Sequence, residues 1–269
     1  MRIISLNTYF GYCFDEFMEF VKHEAPTTDV FCFQEVSSAT TTHRSTSVSG
    51  RRLNLLADLQ KILVHFDLIY TKMDDDVETD VSVDGHSNMG IVTFVKRVHQ
   101  ILRSETVFIA NGPEIFDGEH IATLGHVALR TDVAAFGREI VIVNVHGISE
   151  PADKRDCEVR LEQSRKLLSL VADTQSKTII VGDFNLFPDT ESIRMIERAG
   201  YRNLVTEFGI TTTRGTNMHK LWPQYEHGKY GFQEFADYAF VPPDIRVVDF
   251  AVPDLAVSDH LPLILDISC

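Results

Sequence analysis

The spacing of apolar residues along the chain predicts a protein built mainly from short strands with a few amphipathic helices. Apolar runs bounded by polar or turn residues are typical of buried strands. Such runs occur at residues 2–6, 29–33, 65–71, 90–98, 106–110, 121–130, 139–146, 177–182, 234–241, 246–252 and 262–267. Apolar positions at helical spacing occur at residues 14–21, 53–63, 156–173 and 190–199. Because several strands follow one another after short turns, we expect mixed or antiparallel sheets in an α/β fold, not a doubly wound parallel sheet.

The chain shows no repeat, low-complexity linker or break in composition, so residues 1–269 are predicted to form a single domain. The Ser/Thr-rich residues 37–50 and the acidic residues 74–80 are predicted to be loops in solvent. No apolar run approaches the roughly 20 residues needed to span a membrane. Residues 1–6 resemble a first core strand and not a signal peptide. We therefore expect a cytoplasmic protein without stable membrane insertion.

Composition narrows the partners that the protein can bind. The formal net charge of −14, from 25 basic and 39 acidic side chains, argues against a surface that binds polyanions everywhere. A bound metal cation can still supply the positive charge that a phosphate needs, so nucleic acid is weakened as a substrate without being excluded. The cysteines form no C-x-x-C pair, which indicates reduced structural thiols. They are Cys13, Cys32, Cys157 and Cys269.

A group of polar side chains lies at or beside the ends of predicted strands. Its members are Asn7, Glu35, His146, Asp183, Asn185, Asp237, Asp259 and His260. Side chains at strand ends can converge on one rim of a layered sheet. Carboxylate and amide oxygens suit a hard cation, and the imidazoles and amides leave donors for a phosphate. Hydrolysis of a phosphate ester requires such a Lewis acid, a water activator and groups that stabilise charge in the transition state.

Each of these residues also has an ordinary structural explanation. Asn7 alone is better explained as a turn or cap residue, and Glu35 alone as a solvated glutamate. Asp183 can be an Asx-turn residue. Asp237 lies inside an apolar strand, where an unpaired carboxylate is costly, so we predict that it pairs with His260. It is improbable that all of these explanations hold at once. The pattern therefore favours one site shared by these residues.

Six short motifs, in order along the chain, resemble those of the endonuclease/exonuclease/phosphatase superfamily. They are Leu6-Asn7-Thr8, Phe33-Gln34-Glu35-Val36, Asn144-Val145-His146-Gly147, Gly182-Asp183-Phe184-Asn185, Ala236-Asp237-Tyr238 and Ser258-Asp259-His260-Leu261-Pro262. The fourth and sixth motifs together form the most specific combination. The resemblance runs from residue 5 to residue 262. It implies a deoxyribonuclease-I-like α/β fold, a four-layer sandwich in which two central mixed or antiparallel β-sheets are flanked by helices.

The resemblance also implies a metal site. Glu35 would be the main ligand of Mg²⁺ or Mn²⁺, with Asn7 beside it in the shell of metal-bound water. Asp259 would support either the metal or the neighbouring histidine. Tyr9 stands where many members of the superfamily carry Asn or Asp, which argues against a second metal ligand next to Asn7.

For the catalytic residues, the resemblance implies an in-line attack of water at phosphorus without a covalent intermediate. Asp183 would orient or deprotonate the water, and Asn185 would hold that water or a phosphate oxygen. His260, oriented by Asp237, would contact the phosphate or act as acid/base. His146 would contact the phosphoryl oxygens or the leaving group.

Two further groups of residues are candidates for substrate contact. Long loops on a rigid scaffold often set specificity, so we predict that Arg214, Trp222 and Tyr225, which precede Asp237, line the substrate cleft. Lys154, Arg155 and Arg160 follow the His146 loop, where substrate contact and an ordinary solvated helix face are equally plausible. His86 and Asn88, by contrast, are predicted to lie in a surface loop.

The sequence leaves more than one function open. A metal-dependent phosphodiesterase of the nuclease type is the first hypothesis. The alternative is a hydrolase of small phosphorylated metabolites or phospholipid head groups, resembling sphingomyelinases or inositol phosphatases. A non-catalytic binding module of the same fold is a third hypothesis, which the intact carboxylate and histidine set argues against. The expected ligand is a phosphoester, either nucleic acid or a small phosphorylated molecule, and no obligate protein partner is indicated.

Overall fold

The protein is described by a computed structural model at residues 1–39, 46, 50–74, 87–111, 125–174, 177–215 and 232–268. In chain order the elements are β1 (Arg2–Asn7), a 3-10 turn (Tyr9–Gly11), α1 (Phe14–Glu24), β2 (Val30–Ala39), α2 (Leu55–Ile62), β3 (Phe66–Asp74), β4 (Ser87–Lys96), β5 (Gln100–Ala110), β6 (His126–Ala135), β7 (Arg138–His146), α3 (Glu158–Leu170), β8 (Thr178–Asp183), α4 (Glu191–Arg198), β9 (Arg202–Asn203), α5 (Leu204–Glu207), β10 (Asp237–Val241), β11 (Arg246–Ala251) and β12 (Leu263–Ser268).

The strands form two six-stranded mixed sheets. The order is β11-β12-β1-β2-β4-β3 in the first sheet and β5-β6-β7-β8-β10-β9 in the second. At the centre of each sheet lies one parallel pair, β1 with β2 and β7 with β8. The remaining neighbours are antiparallel. The α/β class and the mixed sheets expected from the strand pattern are therefore confirmed.

Alternation along β2 shows why the sheets stack as inner layers. Val30 and Cys32 lie in the core between the two sheets, with residues of β7 and β8. Phe31 and Phe33 point the other way, into a core shared with α1 and α2. Because successive side chains of a strand face opposite sides, a strand that is apolar at every position must be covered on both faces. The helices provide the outer cover, which gives the predicted four-layer sandwich.

A pair of buried amides links the two sheets near the centre. Gln34 Nε2 donates to Asn144 Oδ1 at 2.7 Å across the core. Asn144 Nδ2 in turn donates to the backbone oxygens of Phe33 at 3.3 Å and Val92 at 3.0 Å. Buried polar groups are costly unless they are paired, so this network favours one alignment of the sheets.

The N-terminus of α4 is capped by a carboxylate from another loop, and this cap joins two loops near the second sheet. The carboxylate of Asp156 accepts hydrogen bonds from the backbone nitrogens of Glu191 at 2.6 Å and Ser192 at 3.0 Å. These are first-turn donors of α4, which no intrahelical carbonyl can satisfy. The loop after β7 is thereby held against the loop after β8.

The elements agree with the sequence pattern except in a few places. The pattern missed the 3-10 turn, β9 and α5, which are too short to show a period. Residues 37–39, predicted as loop, continue β2, and Asn88, also predicted as loop, pairs with Ser38 within the first sheet. His86 and most of the acidic segment 74–80 lie outside the described residues, and the single-domain assignment stays a prediction. No helix in the described part of the chain is both long and apolar enough to cross a membrane.

Candidate active site

The two central parallel pairs bring polar side chains to one end of the sandwich. Asn7 ends β1 beside Gln34 of β2, and His146 ends β7 beside Asp183, which ends β8. The carboxyl ends of parallel strands meet at the same edge of a sheet. The sheets also touch along these strands, since β1 contacts β8 and β2 contacts both β7 and β8. Each sheet therefore contributes half of one polar cluster.

Asn7 joins the two halves. Its Nδ2 donates to Glu35 Oε1 at 3.0 Å in its own sheet and to Asp183 Oδ2 at 2.9 Å in the facing sheet. Its Oδ1 accepts from the backbone nitrogen of Tyr9 at 3.0 Å, which fixes the orientation of the amide. The predicted convergence of Asn7, Glu35 and Asp183 is therefore found in the structure.

Glu35 is presented by an irregularity in β2. The pairing of β2 with β4 changes register between Phe33 and Val36, and Glu35 has a positive φ of 55°. A bulge redirects a side chain at the end of a strand, and a left-handed conformation is uncommon for glutamate. The conformation places Glu35 Oε1 at 3.6 Å from His146 Nε2, on the facing sheet.

The residues around Glu35 fit a divalent cation. Within the described part of the chain, Glu35 Oε2 is buried without a hydrogen-bond partner, which is costly for an ionised carboxylate unless a cation lies beside it. One ligand atom each from Glu35, His146 and Asp183 lies within 4.8 Å of the others. The two carboxylates, which come from opposite sheets, supply the oxygen ligands that Mg²⁺ and Mn²⁺ prefer.

The second part of the site is a histidine–aspartate pair. His260 Nδ1 lies 2.8 Å from Asp237 Oδ2, so the partner predicted for the carboxylate inside the apolar strand is confirmed. Thr213 Oγ1 accepts from the backbone nitrogens of Ala236 at 3.0 Å and Asp237 at 3.1 Å, which anchors the start of β10. His260 Nε2 lies 3.8 Å from Asp183 Oδ2, so the pair faces the metal-side carboxylate.

Arg214 sets the protonation state of this pair. Its guanidinium contacts His260 Nε2 and also donates to Asp259 Oδ2 at 2.8 Å. Guanidinium nitrogens only donate, so Nε2 must be the acceptor and Nδ1 carries the proton given to Asp237. Burial and the charge of Arg214 lower the pKa of His260 well below its ordinary value, so the imidazole is neutral at neutral pH. Asp259, predicted to support the metal or this histidine, is bound to Arg214, and its part in metal binding stays a prediction.

Asn185 and the loop after β8 complete the site. The backbone nitrogen of Asn185 donates to Asp183 Oδ1 at 2.9 Å, the Asx turn considered for Asp183. Its Nδ2 donates to Asp183 Oδ2 at 3.2 Å and to the backbone oxygen of Gly147 at 3.1 Å. Asn185 has a positive φ of 53°, which turns the chain sharply after the strand. Asp183 therefore accepts from both asparagines, which hold its carboxylate in one orientation.

The three basic residues that follow His146 lie in different environments. Arg155 is exposed and bonds Asp189 at 2.6 Å. Arg160 is completely buried, and both interpretations of it were wrong: its guanidinium donates to the backbone oxygens of Pro151 at 2.5 Å and Ser149 at 3.3 Å, holding the loop. Lys154 is also buried, and its Nζ donates to the backbone oxygen of Phe235 at 3.0 Å. Burial, followed by the charge of Arg214, lowers the pKa of Lys154, and Asp183, Asp237 and Asp259 act on it from the site.

With this geometry established, the comparisons with known proteins identify the family. The sequence profile of the Endonuclease/Exonuclease/phosphatase family matches residues 4–260. The chain belongs to this family. Members of the endonuclease/exonuclease/phosphatase family are hydrolases that act on phosphoesters. A comparison with proteins of curated function finds no significant sequence match.

Solved structures of the endonuclease/exonuclease/phosphatase family share the fold over the whole chain. A family protein from Leptotrichia buccalis C-1013-b is similar at a TM-score of 0.69 and 16% identity, covering 100% of both chains. A mannosyl-6-phosphatase from Bacteroides thetaiotaomicron VPI-5482 is similar at a TM-score of 0.68 and 16% identity, also covering 100% of both. The catalytic domain of human Nocturnin, with a bound sulfate anion, gives 0.66 and 16%, covering 100% of this chain and 93% of that one. At these identities the likeness shows the fold alone.

The sequence analysis missed two residues of this site, His126 and Thr213. His126 is buried with its ring centroid 5.5 Å from that of His146, and neither ring nitrogen has a hydrogen-bond partner among the residues described. Thr213 anchors β10 through a single hydroxyl. Thr213 precedes Arg214, but nothing in the sequence indicates that its hydroxyl contacts β10, and no motif marks His126, so the fold reveals both. Trp222 and Tyr225, predicted to contact substrate, lie outside the described residues.

The environment of Glu35 predicts a pH-dependent affinity for metal. Burial, with smaller contributions from Asp259 and Asp183, raises the pKa of Glu35 to about 8, although Asn7 opposes the shift. Metal binding must displace the proton, so affinity should fall about tenfold per pH unit below that pKa. We expect the increase in Tm caused by a fixed Mg²⁺ concentration to be larger at pH 8.5 than at pH 6.5, as measured by differential scanning fluorimetry.

Two controls define this pH experiment. In the metal-free protein the raised pKa means that folded Glu35 keeps a proton that the unfolded chain releases, so its contribution to stability falls as pH rises from 4.5 to about 8. The variant Glu35→Gln should lose both this contribution and the Mg²⁺-dependent shift in Tm. A shift of equal size at both pH values in the wild-type protein would contradict the prediction.

Proposed function

We propose that the protein is a divalent-metal-dependent phosphoester hydrolase of the phosphodiesterase type, which splits a P–O bond by in-line attack of water. The observation that carries the proposal is the buried oxygen of Glu35, which has no hydrogen-bond partner among the described residues and lies beside Asp183, which in turn faces the His260–Asp237 pair. Carboxylates that can hold a cation, a carboxylate held by two amides and a neutral imidazole are the groups that hydrolysis of a phosphoester needs.

Glu35 is the principal ligand in this proposal, and Asp183 and His146 complete the position. Bound Mg²⁺ or Mn²⁺ would polarise a phosphoryl oxygen and offset negative charge in the transition state. Asn7 does not need to touch the ion, because it holds the two carboxylates at a fixed separation. Such supporting residues typically change metal affinity by roughly 10- to 100-fold when they are removed.

Asp183 is proposed to orient the attacking water and to take its proton. Three hydrogen bonds from Asn7 and Asn185 hold the carboxylate in one orientation. A carboxylate that is fixed before substrate arrives needs little reorganisation in the transition state. Asn185 also lies beside the loop after His146, where it can contact a phosphate oxygen once substrate is bound.

His260 is proposed to work as a neutral imidazole. Its Nε2 is an acceptor in the free protein because Arg214 donates to it. Substrate would draw the guanidinium onto a phosphate oxygen, since charge-assisted bonds from Arg to phosphate are strong. Nε2, which lies 3.8 Å from Asp183 Oδ2, would then be free to take over the proton that Asp183 removes from the attacking water and to give it to the leaving oxygen as the P–O bond breaks. Asp237 keeps the ring oriented and stabilises the imidazolium that this transfer forms. Lys154 supplies a second positive charge near the same carboxylates.

Hydrolysis of a small phosphorylated molecule is the second candidate function. The net charge of −14 favours it, because a long polyanion would be repelled away from the metal and the site's own cations. A protein of the same fold is named a mannosyl-6-phosphatase, which is a monoesterase by that name. The two candidates share every residue proposed above and differ only in the number of ester groups on phosphorus.

A pair of chromogenic esters separates these functions. We expect hydrolysis of bis(p-nitrophenyl) phosphate to depend on Mg²⁺ or Mn²⁺ and to stop with EDTA, and p-nitrophenyl phosphate to be the better substrate only if the enzyme is a monoesterase. Rates on plasmid DNA, RNA, sphingomyelin, phosphoinositides and sugar phosphates then identify the class. Glu35→Gln is the inactive control. Equal rates with and without metal would contradict the proposed metal dependence, and no turnover on any of these esters would instead support a binding module.

A further inference from the structure

The site contains two groups of ligand atoms that could each hold a cation. The first is Glu35, His146 and Asp183, and the second is Asp183, Asp237 and His260. They share Asp183, so two ions there would lie side by side, as in enzymes that use a pair of metal ions. The two groups are nevertheless in very different states in this protein.

In the second group the ligand atoms are already used. Both ring nitrogens of His260 have partners, Nδ1 with Asp237 Oδ2 at 2.8 Å and Nε2 with the guanidinium of Arg214. Arg214 also donates to Asp259 Oδ2 at 2.8 Å, which occupies the next carboxylate. In the first group, by contrast, Glu35 Oε2 is buried and has no partner among the residues that the structure describes. One position is therefore prepared for an ion, and the other already holds a positive charge.

The backbone fixes Arg214 in this position. Arg214 and His260 form an antiparallel bridge, and hydrogen bonds run from Gly215 N to Asp259 O at 2.8 Å and from Leu261 N to Thr213 O at 2.9 Å. Only 11% of the Arg214 side chain is exposed. A guanidinium held by an isolated β-bridge and a buried carboxylate belongs to the site, unlike the long side chain of a solvated surface arginine.

The formal charges of the site also favour a single bound divalent ion. The carboxylates of Glu35, Asp183, Asp237 and Asp259 act on Arg214. When metal binding has displaced the proton of Glu35 and both basic side chains are charged, Arg214 and Lys154 leave a formal excess of two negative charges, which one divalent ion neutralises. A second divalent ion would leave the site with two positive charges before substrate arrives, which is unfavourable among buried groups.

We infer that Arg214 takes the place of a second metal ion, so that the protein binds one divalent ion at Glu35 and uses the guanidinium as its other cation at the phosphoryl group. The inference rests on the proposed function, because it assumes a metal at Glu35. It has two consequences. The rate should depend on metal concentration as for a single site, and the planar, bidentate guanidinium should select a phosphoryl group by shape as well as by charge.

Counting bound ions tests this inference without measuring activity. Mn²⁺ binding to the full chain, followed by electron paramagnetic resonance and by isothermal titration calorimetry, should give one tight site per chain. Arg214→Ala should gain a second site, because it frees His260 Nε2 and Asp259 Oδ2 and leaves three excess negative charges where there were two. Arg214→Lys, which keeps the charge, should retain one site, and Glu35→Gln should lose the tight site.

The matched control is Arg155→Ala, since Arg155 is an exposed arginine paired with Asp189 outside the site. It should bind one ion, like the wild-type protein. Two tight ions in the wild-type protein would overturn the inference and leave metal-dependent hydrolysis standing. No tight ion would overturn both. A single ion in Arg214→Ala, with a circular dichroism spectrum like that of the wild type, would overturn the role of Arg214; if that variant does not fold, two ions in Arg214→Lys would do so.

Discussion

Replacing Asp183 with asparagine should lower kcat by at least about 100-fold at saturating Mg²⁺, the loss expected when a water-activating group is removed. The carboxylate accepts from Asn7 and twice from Asn185, so an amide in its place would turn an NH₂ group toward other donors. The variant therefore loses both the base and the alignment of the two sheets' polar groups. Steady-state kinetics on the best ester from the panel measures the effect.

The control for this substitution lies six residues further along the chain. Asp189→Asn changes the same functional group at an exposed position paired only with Arg155 among the described contacts, and it should leave kcat within about threefold, as surface changes do. Mn²⁺ affinity, measured on the same samples, separates loss of water activation from loss of metal. An Asp183→Asn enzyme with near-native kcat would remove this residue from the mechanism.

Breaking the His260–Asp237 pair should have an effect of similar size, and the two changes should not add. We expect His260→Ala and Asp237→Asn each to lower kcat by at least about 100-fold, as for an acid/base group and the residue that orients it. The double variant should be no slower than the slower single variant, because the residues act as one unit through the 2.8 Å bond. Independent roles would multiply to a loss of roughly 10⁴-fold.

A second histidine–aspartate pair in the molecule is a matched control for this cycle. His99 Nε2 lies 2.7 Å from Asp29 Oδ1. This pair lies near the ends of the strands that are opposite to the site. His99→Ala and Asp29→Asn should lower Tm but leave kcat within about threefold, since they remove a buried polar contact far from phosphorus. A loss of kcat in this control comparable with that in the His260 cycle would mean that both cycles report stability and not catalysis.

The fold and half of the site follow from the sequence for a clear physical reason. Apolar runs that end in Asn7, Asp183 or His146 mark strands whose last side chain is polar, and central parallel strands bring such ends together. Asp237 was predictable on energetic grounds, because a carboxylate inside an apolar strand requires a partner. These predictions depend only on local pattern and on the cost of burying charge.

The remaining features depend on contacts between segments distant in sequence. Arg160 has the composition of a helix face, yet loop carbonyls surround it, and no periodicity reveals that. Glu35 owes its direction to a register change in β2 that the run of apolar residues conceals. Thr213 and Lys154 belong to the site only because the segments around residues 213 and 154 reach the start of β10. Sequence pattern predicts strands and their ends well, and it predicts the packing of loops poorly.

The single amide of Asn7, which reaches one carboxylate on its own sheet and one on the facing sheet, makes the site a product of the sandwich as a whole. Neither layer by itself contains a complete cation position, since Glu35 and Asp183 belong to different sheets. An ion bound between them would link the two sheets, and its binding free energy would add to the free energy of unfolding. The proposed metal site would therefore form only when the two sheets dock, in the same step that completes the fold.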